Sequence, residues 1–394
     1  MSSTPNALSA TPPLLKDLNQ RTVLETIRAS APVSRAEISR LVGISKPTVS
    51  LAIVSLLEAG LVREAAVGPD GPTYGAVFFE PVPEAALVLG FDLGARFLRG
   101  AVCDLRGEIR ARLDVDVAGN AADRVLGEIS SLRTRLVEAA GLADTVIDGV
   151  VVGVPGVVDA RSGRIDLATS VAGLEGGTFR DALGERLELP VTLENDVNLA
   201  ALGEQWHGVA RGVEDFVFLS IGTGMGAGLV LHGELHRGHN GAAGEVDFSF
   251  VGLAHDVDPC AGAISQYAAR LVAERDVDTS LRPPFDARDI FAAARAGDVL
   301  AHDVVEEAAR RIALHVVPIA AVTDVSLVVL GGGLGANGDL LLGPVRELLR
   351  SWIPYPPQVA VSSLGEAAVL TGALAIGLRT ALDNVFVGRP QPVR

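Results

Sequence analysis

The chain has 394 residues, 48% hydrophobic and 21% charged. At roughly 100 to 200 residues per domain this predicts two or three domains with ample core, and it excludes a disordered or collagen-like chain. Its 2 cysteines, Cys103 and Cys260, exclude a disulfide scaffold and a four-cysteine metal knuckle within one chain, which fits a reducing cytoplasm. The net charge of −15 hides a division: residues 1–67 carry seven Lys/Arg against five Asp/Glu, including both lysines (Lys16 and Lys46), whereas the rest carries 26 against 43. A mildly basic segment on a strongly acidic body predicts two parts with different partners, the first able to meet a polyanion.

Residues 1–13 are rich in Ser, Thr and Pro without a basic region followed by an apolar one, so a loose tail is expected rather than a secretory leader. Over residues 14–29, Leu18, Val23, Leu24 and Ile27 recur at helical spacing. Ser34 and Glu37 form a capping box that opens a short helix with Ile38, Leu41 and Val42 on its apolar face, and Gly43 ends it. Ser45 caps a third helix, Pro47 is tolerated in its first turn, and Val49, Ile53, Leu56 and Leu57 form its core stripe before Gly60.

The spacing from Ala36 through Gly43 to Val49 is that of a helix-turn-helix, whose second helix enters the major groove by its N-terminal residues. The candidate DNA contacts are therefore Ser45, Lys46, Thr48 and Ser50, with Arg35 at the start of the preceding helix. Strands at 61–64 and 75–79 around the turn Gly68-Pro69-Asp70-Gly71-Pro72 would complete a wing, which makes 14–80 a winged helix-turn-helix for double-stranded DNA. A three-helix dimerisation bundle accounts for the helices, but not for the glycine placement, the small polar residues at the helix start or the wing.

Residues 81–84 form a linker. Strands are expected at 87–93, 96–104 and 108–117, a helix at 122–140, and a strand at 149–154 ending in Pro155-Gly156. Antiparallel strands leading into a helix and a parallel strand describe a ribonuclease H-like layer. Strands at 216–220 and 227–231 begin a second similar passage, followed by helices after Ala261 and a last buried strand at 326–330. Residues 81–394 thus predict two α/β lobes with a cleft between them. The longest apolar stretch, 312–335, contains His315, Pro318 and Asp324 and passes from helical to strand character, so it reads as core and not as a membrane span.

Three glycine clusters fall at strand ends: Asp92-Leu93-Gly94-Ala95, Gly222-Thr223-Gly224-Met225-Gly226 and Gly331-Gly332-Gly333. Backbone amides can approach phosphate oxygens where side chains are absent. Each cluster alone also fits a plain turn; together they give a candidate phosphate set of Asp92, Gly94, Arg96, Gly222, Thr223, Gly224, Gly331 and Gly332. Asn195-Asp196 lies between an apolar strand at 190–193 and a helix, where a carboxylate either accepts a sugar hydroxyl proton or caps the helix.

The helix-turn-helix, Asp92-Leu93-Gly94, Gly153-Val154-Pro155-Gly156, Glu194-Asn195-Asp196-Val197-Asn198, the loop 222–228 and Ala243-Gly244-Glu245 stand in the order and spacing of the ROK family of repressors and sugar kinases. The chain resembles the regulator branch of that family from residue 19 to residue 382. The resemblance implies a winged helix-turn-helix joined to a two-lobed, actin-like ATPase fold, assembled as a homodimer or homotetramer, with a body that senses a small carbohydrate. It also implies Asn195, Asp196 and Glu245 as effector contacts, and Asp196 as the catalytic base if the chain were a kinase.

Several positions depart from the family pattern. The segment Gly244-Glu245-Val246-Asp247-Phe248 has phenylalanine where the kinases have a histidine that holds sugar and zinc. The cysteine segment is matched only by a region ending Gly262-Ala263-Ile264-Ser265, with Ser265 in place of a sugar-binding glutamate. Zinc needs about four N, S or O ligands, and Phe248 and Ala263 supply none, so no metal and no cofactor are expected. His255, Asp256, Asp258 and Cys260 include metal-binding types, but an exposed acidic loop explains them more simply, and His232, His236 and His239 read as surface residues. Arg96-Phe97 replaces the kinases' Thr-Lys; Arg96 can still pair with phosphate, yet the change counts against a working ATP site. Gly68-Pro69-Asp70 likewise replaces Gly-Arg-Pro in the wing and removes the arginine that could reach the minor groove. The reading is a DNA-binding regulator, a repressor, with a degraded kinase-like body. The alternatives are an ATP-dependent sugar kinase carrying a DNA-binding appendage, and a DNA-binding scaffold without a sugar ligand.

Overall fold

The computed structural model describes residues 12–66, 75–117, 121–142, 147–168, 171–251 and 257–387. The chain begins with helices α1 (Pro12–Ser30), α2 (Arg35–Val42) and α3 (Lys46–Glu58). The Ser34 side chain accepts the Glu37 amide at the start of α2, and Gly43, with φ of 70°, stops that helix by returning its N–H to the Ser39 carbonyl. Helices α2 and α3 meet at 116°, a helix-turn-helix crossing. Strands β1 (Val33–Ser34), β2 (Val62–Glu64) and β3 (Phe78–Pro81) form an antiparallel sheet in the order β1-β3-β2. The wing strands are thus present, shifted C-terminally at β3, where Arg63 pairs with Glu80 at 2.7 Å. The turn 68–72 lies outside the described residues. Strand β1, two residues long, has too little pattern to be read from sequence.

The first lobe follows: β4 (Leu87–Leu93), β5 (Phe97–Asp104), β6 (Ile109–Asp116), α4 (Ala122–Ala139), β7 (Gly149–Val154), the small hairpin β8 (Val157–Val158) and β9 (Ile165–Asp166), α5 (Phe179–Leu187), β10 (Val191–Asn195) and α6 (Asp196–His207). Its five-stranded sheet runs β10-β7-β4-β5-β6. The second lobe contains β11 (Phe216–Ile221), β12 (Met225–Leu231), β13 (Glu234–Leu235), α7 (Ala261–Glu274), α8 (Ala287–Arg295), α9 (Val299–Thr323), β14 (Leu327–Gly331), α10 (Gly332–Gly335), α11 (Gly338–Trp352), β15 (Gln358–Val361) and α12 (Ala368–Val387). Its sheet runs β13-β12-β11-β14-β15, so both lobes place their strands in the same third-second-first-fourth-fifth order. Strand β14 was expected to be the last; β15 follows it, parallel, on the far side of α11.

Helices α6 and α12 lie between the two sheets and share a core with β11 and β14 that includes Leu199, Phe216, Val329 and Ala373. They approach backbone to backbone. A Cβ at Gly203 would sit 2.2 Å from the Ala368 carbonyl oxygen, and one at Gly372 would sit 1.9 Å from that of Leu199. By length and composition alone, residues 365–384 could cross a membrane, but the helix they include is packed between the sheets.

The N-terminal module is fused to the body rather than tethered beside it. Val23, Leu24, Ile27, Ile38 and Leu56 share one core with Cys103 and Leu105 of the β4–β5 sheet face and with Leu374, Leu378 and Leu382 of α12. Arg28 Nε donates to the Leu105 carbonyl at 2.6 Å, and Arg21 pairs with Asp383. Burial of that shared surface is worth about 25 cal/mol per Å2 of apolar area, so docking of α1 on α12 contributes to the stability of both parts.

Candidate functional site: DNA-reading helix and interlobe cleft

At the reading end, Ser45 is exposed and caps α3: its Oγ accepts the Thr48 amide at 3.4 Å and shares a hydrogen bond with Thr48 Oγ1 at 2.8 Å. Lys46 is exposed and makes no ion pair with any described residue, so its ammonium is available to a phosphate. Thr48 and Ser50 are half-buried. Arg35 does not join them as a free cation, because its guanidinium lies 4.4 Å from the ring centroid of the buried Phe79. The core stripe of α3 is Val49, Ala52, Ile53 and Leu56. The opposite ridge, Pro47, Leu51 and Val54, faces solvent, with Leu51 73% exposed. Sequence reading passed over that ridge, although a helical projection of the core stripe places it.

In the cleft, the C-terminal ends of parallel strands β4, β7 and β10 converge, the usual place for ligands in α/β sheets. Asn195, not Asp196, caps α6: its Oδ1 accepts the Asn198 amide at 2.9 Å while its Nδ2 donates to the Gly156 carbonyl at 2.9 Å. Both ends of this expected sugar contact are therefore engaged by the protein. The Asp196 carboxylate accepts the adjacent Val197 amide, at 2.9 Å, and a backbone hydrogen bond from its own residue. Burial, then repulsion from Asp92, raises its pKa to about 7, with a smaller push from Glu245. Glu245 is also raised, chiefly by burial and then by Asp247. The structure therefore gathers Asp92, Asp196 and Glu245 into one electrostatically coupled group.

The three glycine clusters, expected to act alike, behave differently. After β4, the Gly94 amide donates to the Phe97 carbonyl at 3.0 Å, and a Cβ on Gly94 would lie 2.3 Å from the Phe97 ring. The ring covers the turn, and Arg99 stacks on it with 3.8 Å between guanidinium carbon and centroid. Arg99 also pairs with Asp92 at 3.1 Å, Asp114 at 3.7 Å and Glu366 at 2.9 Å. Asp92, 3% exposed, is raised to about 6 because burial outweighs Arg99. Gly331 and Gly332 are packing positions: a Cβ would meet the Phe218 ring at 2.1 Å in the first, and the Ile221 carbonyl at 2.4 Å in the second, where φ is 75°. Gly224 and Gly333 are open, with nothing within 4 Å of a Cβ on either, and Gly222 is nearly so, whereas a Cβ on Gly226 would meet Val197 at 3.2 Å. Gly222, Thr223 and Gly333 line a cavity of about 510 Å3 with Arg96, Arg288 and Arg295, and Arg295 is clamped by Asp339 at 2.6 Å.

Arg99 and Arg237 were missing from the sequence reading. Arg237, on the second lobe, pairs with the buried Glu194 at 2.6 Å, and Glu194 also accepts the Asn195 amide and Asn198 Nδ2. Phe248 is 60% exposed on a short turn, so it neither ligates a metal nor fills the cleft wall. Ser265 hydrogen-bonds back to the Ala261 carbonyl within α7. Cys260 is buried with its thiol pushed up by burial, opposite to what a metal-binding thiolate requires. Among the described residues no three His, Cys, Asp or Glu side chains are grouped to hold a metal, and His255 and Asp256 lie outside those residues. The residues present do not fit the family zinc. His232, His236 and His239 are exposed.

The pattern of the ROK family matches residues 88–380, and that of a winged helix-turn-helix DNA-binding domain matches residues 16–63. The chain is 28% identical over 390 residues to the xylose repressor of Caldicellulosiruptor bescii, covering 94% of this chain and 98% of that one. It is 27% identical to the glucokinase of Halalkalibacterium halodurans over 310 residues, covering 72% of this chain and 92% of the kinase. A solved ROK family transcriptional regulator, described as a homolog of the E. coli MLC protein, shares the fold with a TM-score of 0.79 at 22% identity. The superposition covers 95% of this chain and 98% of that one.

Proposed function

The chain belongs to the ROK family, and on that footing we propose that it is a DNA-binding transcriptional regulator, a repressor of sugar-related genes, whose body senses a sugar or sugar-derived effector in the cytoplasm. The observation that carries this is the joining of an exposed recognition-helix start, Ser45-Lys46, to a body whose first phosphate turn is covered by Phe97 and Arg99. Relatives matched over both parts are named repressors, whereas the glucokinase match covers the body.

Asp196 and Glu245 supply acceptors for hydroxyl groups, and partial burial strengthens such bonds. Phosphoryl transfer needs more than a base. The donor has to be held in line and its charge stabilised, and here Asp92 is neutralised by Arg99 while the Gly94 amide is already bonded. The covered first turn supports a body that works by binding without turnover. One observation favours a kinase instead: the open Gly222–Gly224 loop beside a base with pKa about 7. ATP-dependent phosphorylation of any hexose or amino sugar by the purified chain would establish that reading.

Helix α6 begins at Asp196 and carries Trp206 in its last turn, where it packs on the core shared with α1 of the reader. Closure of the lobes on a ligand therefore moves the seat of the DNA-binding module. In a homodimer, two such modules meet half-sites about one helical turn apart, and the ligand changes their spacing if it favours one closure state. Lys46→Ala tests the reading end: it is expected to weaken binding on all duplexes alike and to reduce the salt slope by about 1 per subunit. An unchanged slope would remove Lys46 from the phosphate contacts.

A further inference from the structure

Leu51 is a large apolar side chain that the described residues leave mostly uncovered. It is 73% exposed, lies on α3 directly opposite Val49, Ala52, Ile53 and Leu56, and is flanked by Pro47 and Val54, the latter 47% exposed. What distinguishes Leu51 from the other exposed apolar residues is its place on the outward face of the second helix of the helix-turn-helix. Ser45 and Lys46 at the start of the same helix present a cap hydroxyl and an exposed ammonium, so the helix offers phosphate contacts at its N-terminus and an apolar ridge further on. Residues 14–80 carry seven Lys/Arg and seven Asp/Glu, so the module lacks the strong negative charge of the body. The outward face of the second helix of a helix-turn-helix is the one that meets base edges in the major groove, so DNA is the occupant.

In the major groove of B-DNA the one apolar feature among the base edges is the C5-methyl of thymine. We propose that Leu51 is a specificity-determining residue that requires a thymine methyl group at one position of each half-site. Pro47, one turn earlier on the same ridge, lies against the neighbouring base pair. This rests on the DNA-reading function above and adds to it the base class that the helix selects. Polar Ser45 and Lys46 hold the helix to the backbone, which fixes register but carries no sequence information.

The test uses the full-length protein and duplexes recovered by selection from a random pool. Each conserved thymine in the recovered site is replaced singly by deoxyuridine, which removes only the methyl group. Wild-type protein is expected to bind the uracil duplex about fourfold more weakly per half-site at one position, the effect of one buried methyl group. Leu51→Ala is expected to bind thymine and uracil duplexes equally at that position. Leu51→Asn keeps the comparison readable if the alanine variant binds too weakly, and is expected to shift the selected base there to adenine, which asparagine reads bidentately. Equal wild-type affinity for thymine and uracil at every position would overturn the proposal while leaving the DNA-reading function standing. So would a Leu51→Ala protein with an altered oligomeric state and an intact uracil penalty. Failure of the wild type to select any duplex would overturn the DNA-reading function itself.

Discussion

The glycine turn after β4 and the glycine loop after β11 occupy equivalent places in two sheets with the same strand order, yet they have opposite surfaces. In the first lobe a hairpin carries Phe97 back over Gly94, and Arg99 then stacks on the ring and neutralises Asp92. In the second lobe the chain leaves Gly224 with open space, and Gly222 and Thr223 line a cavity with Arg288, Arg295 and Asp286, which Arg96 of the first lobe also lines. A glycine at a strand end therefore does not by itself make a phosphate grip; the side chain three residues on decides. The two lobes thus turn one covered and one open glycine turn toward the cleft.

The largest expected effect breaks what the lobes share. Gly203→Ala forces a Cβ against the Ala368 carbonyl between α6 and α12, both backbones are fixed, and the cost should be about 3 kcal/mol in denaturant unfolding despite alanine's better helix propensity. A loss below about 1 kcal/mol would mean that the two helices are not in backbone contact. Next comes the closed turn. Gly94→Ala must displace the Phe97 ring, at about 2 kcal/mol, and should loosen Arg99 from Asp92.

Asp196 gives a pH-dependent arm. Its folded pKa, about 7, lies above the usual carboxylate value, so the folded state holds this proton more tightly and the group's contribution to stability declines as pH rises from about 4 to 7. Asp196→Asn should therefore stabilise the protein by about 1 to 2 kcal/mol at pH 8, with the gain shrinking toward pH 4. A gain that does not depend on pH would remove burial of this carboxylate as the cause. The smallest effect belongs to the open loop: Gly224→Ala should shift stability by less than about 0.5 kcal/mol. If Gly94→Ala and Gly224→Ala proved equally costly, the asymmetry between the lobes would be lost.

Much of the architecture was legible because it rests on local pattern. Caps at Ser34 and Ser45 and the apolar runs of β4, β7, β11 and β14 fall where the sequence places them. What escaped depends on contacts distant in sequence or on very short segments: β1, β15, and the fusion of the reader with α12, which needs Leu24 and Leu378 in one core. The cleft carboxylates Asp196 and Glu245 were found through their motif neighbours. Arg99 was not, because its pairing with Asp92 depends on the register of β4 against β5, and its third partner, Glu366, is 267 residues away. The role of Asn195 as cap and the closure of Gly94 both follow from backbone geometry that no composition signal carries. Leu51 was within reach, because the core stripe of α3 already implied the face on which it stands.

The measurement that bears most directly on the central claim is duplex selection from genomic fragments by the purified full-length protein at physiological salt, repeated with a panel of sugars and sugar phosphates. The account predicts enrichment of a palindromic site with half-sites about one helical turn apart, and its release by one compound of the panel. Enrichment of no duplex, together with ATP-dependent phosphorylation of a sugar, would contradict it.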